Sequence, residues 1–572
     1  MKELVVPHEP SSFRDEQEFA FRHGLIRDGA YDSLPKSLRA DKHIGIAKWA
    51  ADRAGDRAEE IAELIATHEI EAVRYLDELG ERRPEMERKA FEHAWAAARR
   101  TSALSLGAES TRWYREVERL ADRLEIPLSE RCRLLREHLS ATWGPDSVGE
   151  NERVARRAVE AFEALDDQRA SGWATAHLVL PLMQQGRDEE AEAAGRAAVQ
   201  ILEPLGDSPE LAHALHRLGW FLWRRGRPGE SEPLLRRAID LADRVGDILV
   251  LAEATQTLAT CLLPLGNLAE SHRLMEEAFL LAKEAGDNTN LMRAYNNVAI
   301  IRYEVQGPLE TVGVLREGLE LALRSGTTAP AAYIAGTLTY MEQLLGRLSD
   351  AEEHARLSVS LGQRVGDVPM TGQWLISLAT VVLMRGRLDE AVALREQAAP
   401  ILMANPEPQV AGSLEQFDGY LELGRRNRAA AADRFAEAAN EVRSYDVESV
   451  PMIFSESARA FLLLGDRERA ETYRDLDAST DSVLSAALAA HINGLLEAEP
   501  ARAVDLLGSA VAEFDRLGMR LYAARAIVDL GRGMLHAGQD PREVLERARE
   551  ILIECDARLF LFEIDEVIAE LR

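Results

Sequence analysis

Between about residues 168 and 400, apolar positions recur at the three- and four-residue spacing of amphipathic helices, and the stripes break on glycine at regular distances. One series, Gly186, Gly226, Gly266, Gly307, Gly346 and Gly386, ends the first helix of each unit. A second, Gly206, Gly246, Gly286, Gly326 and Gly366, falls midway at a spacing of 40 and ends the second helix. A self-similar period of this length is the signature of a helical solenoid, whose units bury their apolar faces on one another. Around Gly226, the residues Leu215, Leu218, Gly219 and Leu222 form a large–small–large ladder, and Ser231, Leu235 and Ala238 follow on the second helix. Five residues after each turn, where two helices cross closely, a small side chain is required. Ala191, Ser231, Ser271, Ala351, Ala391, Ala429 and Ala470 stand there, whereas the unit of Gly307 has one extra residue and places Val312. Loops such as Gly206-Asp207-Ser208-Pro209 and Gly246-Asp247 pair a helix-ending glycine with a capping side chain for the next helix.

The flanks are less regular. Leu4-Val5-Val6 and Phe19-Ala20-Phe21 predict a small hairpin, followed by a helix from Leu25, another from Leu38 to Ala54, and a third from Arg57 to Glu71. Ile61, Leu64, Ile65 and His68 share one face of that third helix. Between residues 81 and 167, Gly107 and Gly149 mark turns, and Ser129 after Pro127 is a candidate cap for a helix reaching Leu139. Beyond Pro400 the repeats drift around Gly424, Gly465, Glu499 and Gly538, Asp475 to Asp481 forms a polar break, and Leu559 to Leu571 predicts a capping helix. The chain therefore divides into residues 1–80, 81–167, the regular array 168–400, and divergent repeats 401–572.

Two resemblances follow from these residues. The run Glu18-Phe19-Ala20-Phe21-Arg22-His23-Gly24-Leu25-Ile26-Arg27-Asp28-Gly29-Ala30-Tyr31-Asp32-Ser33-Leu34-Pro35-Lys36 resembles the end of the winged-helix part of STAND-type AAA ATPase regulators. Together with Ala58 to His68 it looks like bacterial proteins that join a class III nucleotide cyclase, an ATPase and a tetratricopeptide-like tail. The resemblance implies that the hairpin is the wing of a winged-helix module, and that His23 occupies the place of a histidine that senses bound nucleotide; the alternative is packing or capping at the hairpin–helix junction. The central units resemble tetratricopeptide repeats, lengthened by about six residues over the usual 34. The implied fold is an all-α, right-handed superhelical solenoid preceded by a winged-helix remnant. In such repeats one face of each first helix lines the concave side. Here that face carries Trp173, then His213, His216, Trp220 and Trp223, then Glu253 and Gln256, then Arg293, Asn296 and Tyr303, then Tyr333 and Tyr340, and Gln373. Aromatic, histidine, arginine and amide side chains on one surface suit a peptide or an aromatic small molecule. The alternative is that Trp220 and Trp223 pack between adjacent repeats with the histidines at the solvent edge. The basic clamp by which some such domains hold a C-terminal carboxylate is incomplete, with Asn297 alone matching.

Charge and motifs narrow the function. Lys and Arg number 68 against 97 Asp and Glu, a formal charge of −29, which argues against nucleic acid as a partner. Cys132, Cys261 and Cys555 are odd in number and far apart, as in a reduced protein without a disulfide framework or zinc site. No apolar run reaches the length of a membrane span and residues 1 to 30 lack a signal-peptide pattern, so a cytoplasmic chain with no membrane partner is expected. No phosphate loop, H-E-x-x-H, paired C-x-x-C or G-x-S-x-G occurs, so no catalytic residue, metal or cofactor is expected. Three readings remain: an effector- or partner-binding sensor arm of a regulatory ATPase or cyclase, a free-standing scaffold for protein partners, or the tail of a longer cyclase or ATPase.

Overall fold

The regular array is built as its spacing requires. In a computed structural model describing residues 5–8, 17–103, 107–141, 148–365, 368–404, 410–444, 451–474 and 482–571, the chain forms two compact units, 1–143 and 144–572. Gly366 and the 475–481 break lie outside the described residues, as does Leu4. In the second unit the first helices of successive repeats are Pro209–Arg224, Ile248–Leu262, Asn288–Gln306, Thr328–Leu344 and Val368–Met384. Each packs on a partner: Pro228–Val245, Leu268–Ala285, Val312–Arg324, Leu348–Val365 and Leu388–Ala404. The unit is a tetratricopeptide-like solenoid. Gly246 ends its helix at φ 74°, ψ 26°, a left-handed conformation that costs a side chain-bearing residue about 1 kcal/mol. Asp247 then accepts the Val250 amide at 3.1 Å, and Ser208 accepts that of Leu211 at 3.2 Å, so each loop ends one helix and caps the next.

The small positions let helices touch. Ser231 is fully buried and its Oγ donates to the Gly219 carbonyl at 2.7 Å, while a Cβ on Gly219 would come within 2.9 Å of Leu235. Ala191, Ser271, Ala351, Ala391 and Ala470 are likewise inaccessible. Ala429 is exposed instead. The left-handed turn of that unit is at Arg426 (φ 64°), because Gly424 still belongs to helix Ser413–Gly424, and the buried small residue five positions on is Ala431.

A feature with no periodic signature closes the unit on itself. Helices 288–306, 328–344 and 368–384 also contact Val483–Leu496, Arg520–His536 and the 558–560 turn. Leu517 abuts Gly307, the Cys555 thiol abuts Gly346, and Leu559 abuts Gly424, each leaving no room for a Cβ. Arg385 pairs with Asp556 at 2.9 Å, and Arg428 with Glu566, across the same closure. One apolar core consequently runs from Leu235 to Val567.

In the first unit, Val5–His8 pairs antiparallel with Glu18–Phe21, followed by helices Gly24–Asp32, Lys36–Ala54, Ala62–Glu78, Pro84–Ala103, Gly107–Leu124 and Leu128–Ala141. Three expectations are corrected. The segment Gly55–Ile61 is a tight 3₁₀ turn, so the third helix starts at Ala62 and its buried stripe is Ala62, Ile65, Ala66, Glu69, Ala72, Val73 and Leu76, with Leu64 facing out. Ser129 sits inside its helix, whose first amides are accepted by the Pro127 carbonyl. Gly149 lies within helix Val148–Ala164 rather than at a turn.

A candidate binding groove

Because the repeat is 40 residues, equivalent positions of successive first helices stand side by side. One column is Trp173, His213, Glu253, Arg293, Tyr333 and Gln373, each 40 after the last. A neighbouring pair of columns, offset by one residue, is stitched by hydrogen bonds between side chains 41 apart. His216 Nε2 meets Thr257 Oγ1 at 3.1 Å, Asn297 Nδ2 donates to Gln256 Oε1 at 2.9 Å, and Thr337 Oγ1 donates to Asn296 Oδ1 at 2.7 Å. Thr257 Oγ1 already donates to the Glu253 carbonyl, so it accepts from His216, whose proton is fixed on Nε2. The ladder satisfies polar groups that line the first helices and so holds the groove wall in one geometry.

The N-terminal part of this wall carries aromatic rings and unsatisfied polar atoms. Trp173 is buried and tilted over His177, ring centres 4.1 Å apart, and His177 stacks on His213 at 4.6 Å. Burial pushes the imidazoles of His213 and His216 well below their usual pKa, so both are neutral. Arg217 is 7% exposed, and its Nε donates to His213 Nε2 at 3.4 Å. The Arg293 Nε donates to Gln256 Oε1 at 2.9 Å, and Gln256 Nε2 to Asn290 Oδ1 at 3.3 Å. Arg293 Nη2, Asn290 Nδ2 and His216 Nδ1 are sealed from solvent without a hydrogen bond. Glu253 reaches His216 Nδ1 only at 3.5 Å. Trp220 and Trp223 follow on the same helix, both half-buried, Trp223 against the core.

Further along, the expected groove residues turn inward. Tyr303 is buried, its hydroxyl 3.3 Å from that of Tyr340, which donates to Met452 Sδ at 3.7 Å. Tyr522 donates to the same sulfur at 3.0 Å. These tyrosines fill the space that the closure creates, and burial raises the pKa of all three. Asn296 belongs to the ladder, while Tyr333 is exposed and edge-on to Trp374 at 5.3 Å. Gln373 is half-buried with its Oε1 unbonded. His23 belongs to the first unit: it is exposed at the start of Gly24–Asp32, its carbonyl accepts the Ile26 and Arg27 amides, and its side chain makes no capping bond.

Residues that the inward-position rule passes over also line the wall: His177, Arg217, Thr257 and Asn297, one column across and again 40 apart. Their signal is the column itself. A second polar cluster lies within the closure. Arg459 donates to Asp529 at 2.7 Å and to Glu563 at 2.9 Å, Arg525 to Glu456 at 2.9 Å, and His491 meets Asp529 at 3.1 Å, all buried. No 40-residue rule points to it.

The tetratricopeptide repeat family profile matches residues 174–244, the helices that carry His213, His216, Trp220 and Trp223. No curated protein matches the sequence. Among solved structures, the chain is similar to a STAND protein with a tetratricopeptide repeat sensor from Pyrococcus horikoshii, at 10% identity over 78% of this chain and 67% of that one, TM-score 0.44. It is similar to the Rap conjugation gene regulator of plasmid pLS20 in complex with the Phr* peptide, at 12% identity over 60% and 94%, TM-score 0.43. A third similar structure is aspartyl phosphate phosphatase F from Bacillus subtilis, at 12% identity over 62% and 93%, TM-score 0.40.

Proposed function

We propose that the chain is a non-catalytic binding arm, whose groove wall from Trp173 to Arg293 recognises a peptide, a protein segment or a small-molecule effector. The observation that carries this is the hydrogen-bonded ladder between first helices, which fixes aromatic and polar side chains on one surface while leaving several of them unpaired. The tetratricopeptide match, residues 174–244, covers the first part of that wall, from His177 to Trp223. Such an arm acts by binding two of its conformations unequally, since a ligand shifts an equilibrium only by that difference. The closure between middle and C-terminal repeats is the element we propose to be biased. The resemblance of residues 18–36 to a winged-helix end, with His23 as nucleotide sensor, favours an arm belonging to a cytoplasmic signal-transduction ATPase or cyclase. A free-standing scaffold is the second reading, supported by the continuous core of residues 235–567. No described helix is long and apolar enough to cross a membrane.

The test is a thermal-shift screen against nucleotides, sugars, amino acids and short peptides, with Trp fluorescence read alongside. Stabilisation by one ligand class, lost in Trp220→Ala with Trp223→Ala, is the expected result. Stabilisation that survives the double variant would place binding elsewhere, and a silent screen with a captured protein partner would favour the scaffold.

A further inference from the structure

The first unit brings together two histidines that the groove does not use. His43 stands on helix Lys36–Ala54 and His68 on helix Ala62–Glu78, with their Nδ1 atoms 2.8 Å apart. Two imidazole nitrogens meet this closely only when one offers a lone pair to the other. A chain of hydroxyls decides which. Tyr31 donates to Tyr75 at 3.0 Å, so its oxygen accepts from His43 Nε2 at 2.7 Å and the His43 lone pair is on Nδ1. Arg39 holds the far end of the chain, donating from Nη1 to the Tyr75 oxygen at 3.4 Å and from Nε to the Leu34 carbonyl at 2.9 Å. An imidazole with Nε2–H tied to an oxygen and a free lone pair on Nδ1 has the tautomer and the outer hydrogen bond of a metal ligand.

A third donor stands one helical turn beyond His68. Glu71 accepts two bonds from Arg74, at 3.2 and 2.5 Å, and both end on Oε2. Its Oε1 accepts no hydrogen bond among the described residues. The Glu71 charge acts on both imidazoles, while burial keeps them neutral, the form a metal requires. All three side chains are half-buried, so an ion has a path in from solvent.

We propose that His43, His68 and Glu71 form a site for a divalent transition ion of the zinc class, bound through the two Nδ1 atoms and Glu71 Oε1 with a fourth position left to water. Imidazole and carboxylate donors suit zinc rather than the all-oxygen shells of calcium and magnesium. Two nitrogens on one tetrahedral zinc, each about 2.0–2.1 Å from it, stand roughly 3.3 Å apart, so a small rotation of each ring admits the ion. The His68 proton moves from Nδ1 to Nε2 as its lone pair turns to the metal. The ion then ties helix 36–54 to helix 62–78 across the 3₁₀ turn between them, where the metal-free chain has a single hydrogen bond.

The experiment strips the untagged whole chain with EDTA and titrates it with Zn²⁺ by calorimetry and with Co²⁺ in the visible, at about pH 7.5 where free imidazole is neutral. One ion per chain is expected, with the absorption of four-coordinate cobalt and slower amide exchange in helices 36–54 and 62–78. His43→Gln and His68→Gln should each remove that equivalent, and Glu71→Gln should weaken it. Tyr31→Phe keeps the ring but loses the acceptor for His43, and should weaken binding by about tenfold or more, which marks Tyr31 as a positioning residue. Melting in EDTA shows which variants fold as the parent does. Imidazole nitrogen NMR of the parent needs no variant, and both Nδ1 resonances should move on adding Zn²⁺. Zinc that leaves those resonances in place, an equivalent that survives both histidine substitutions, or no binding of either ion would overturn the site.

Discussion

His43 and His68 are joined Nδ1 to Nδ1 at 2.8 Å, a hydrogen bond that exists only while at least one imidazole is neutral. Tyr31 donates to Tyr75 at 3.0 Å, so its oxygen accepts from His43 Nε2 at 2.7 Å, leaving His43 Nδ1 to accept from His68. Burial lowers both histidine pKa values, Glu71 opposes the shift for each, and Arg74 reinforces it for His43. A histidine with a depressed native pKa binds fewer protons folded than unfolded, so its contribution is full above the unfolded value of about 6.5 and is lost as pH falls below it. His93, held by Glu69 at 2.8 Å, is shifted upward and has the opposite sign. Amide exchange protection in helices 24–32, 36–54 and 62–78 should therefore fall between about pH 7 and 5, and His68→Gln should flatten that fall. A profile unchanged by the substitution would refute the assignment. At this scale the sequence showed His68 on a helix but not its partner, because nothing in spacing connects residues 43 and 68.

Helix crossings are set by absent side chains. Trp374 lies where a Cβ on Gly336 would overlap its Nε1 and one on Gly362 would overlap its ring. Overpacking such a contact costs about 1–3 kcal/mol, so Gly336→Ala should lower the melting temperature despite the better helix propensity of alanine. Stability equal to the parent would show that Trp374 can move aside. Most helix ends were legible because glycine and the following Asp or Ser act within a few residues of one another. The exception is the turn after Gly424: Arg426 adopts a conformation usually left to glycine, and its guanidinium lies over Phe562 at 4.0 Å, a contact with a distant helix that no local spacing shows.

Across the whole second unit, the closure couples repeats some 200 residues apart. Arg459→Met would take both hydrogen bonds from Glu563, leaving it only Arg525 at 3.8 Å, and weaken the hold on Asp529 in the buried cluster, at a cost of about 3 kcal/mol or more. Denaturant melts check this, and a neutral result would mean that the cluster is dispensable to the closure. Deleting residues 227–266 removes one repeat upstream of the closing contacts and should leave a cooperatively folding array. Deleting 307–346 removes the turns that meet Leu517 and Cys555, and should produce a broader, lower transition. Equal melting of the two deletions would count against a structural role for the closure.

The sequence by itself determined the repeat, the caps at Ser208 and Asp247 and all but one of the small crossing positions in units with a turn glycine, because each depends on residues within one unit or one period away. Only the tertiary structure decided which inward residues stay available. Tyr303 and Tyr340 are consumed by Met452 and Tyr522, whereas the wall from Trp173 to Arg293 lies ahead of the closing contacts and keeps unpaired polar atoms. The physical reason is that neighbour-to-neighbour stacking repeats along the chain and leaves a period, while the meeting of distant repeats happens once and leaves none.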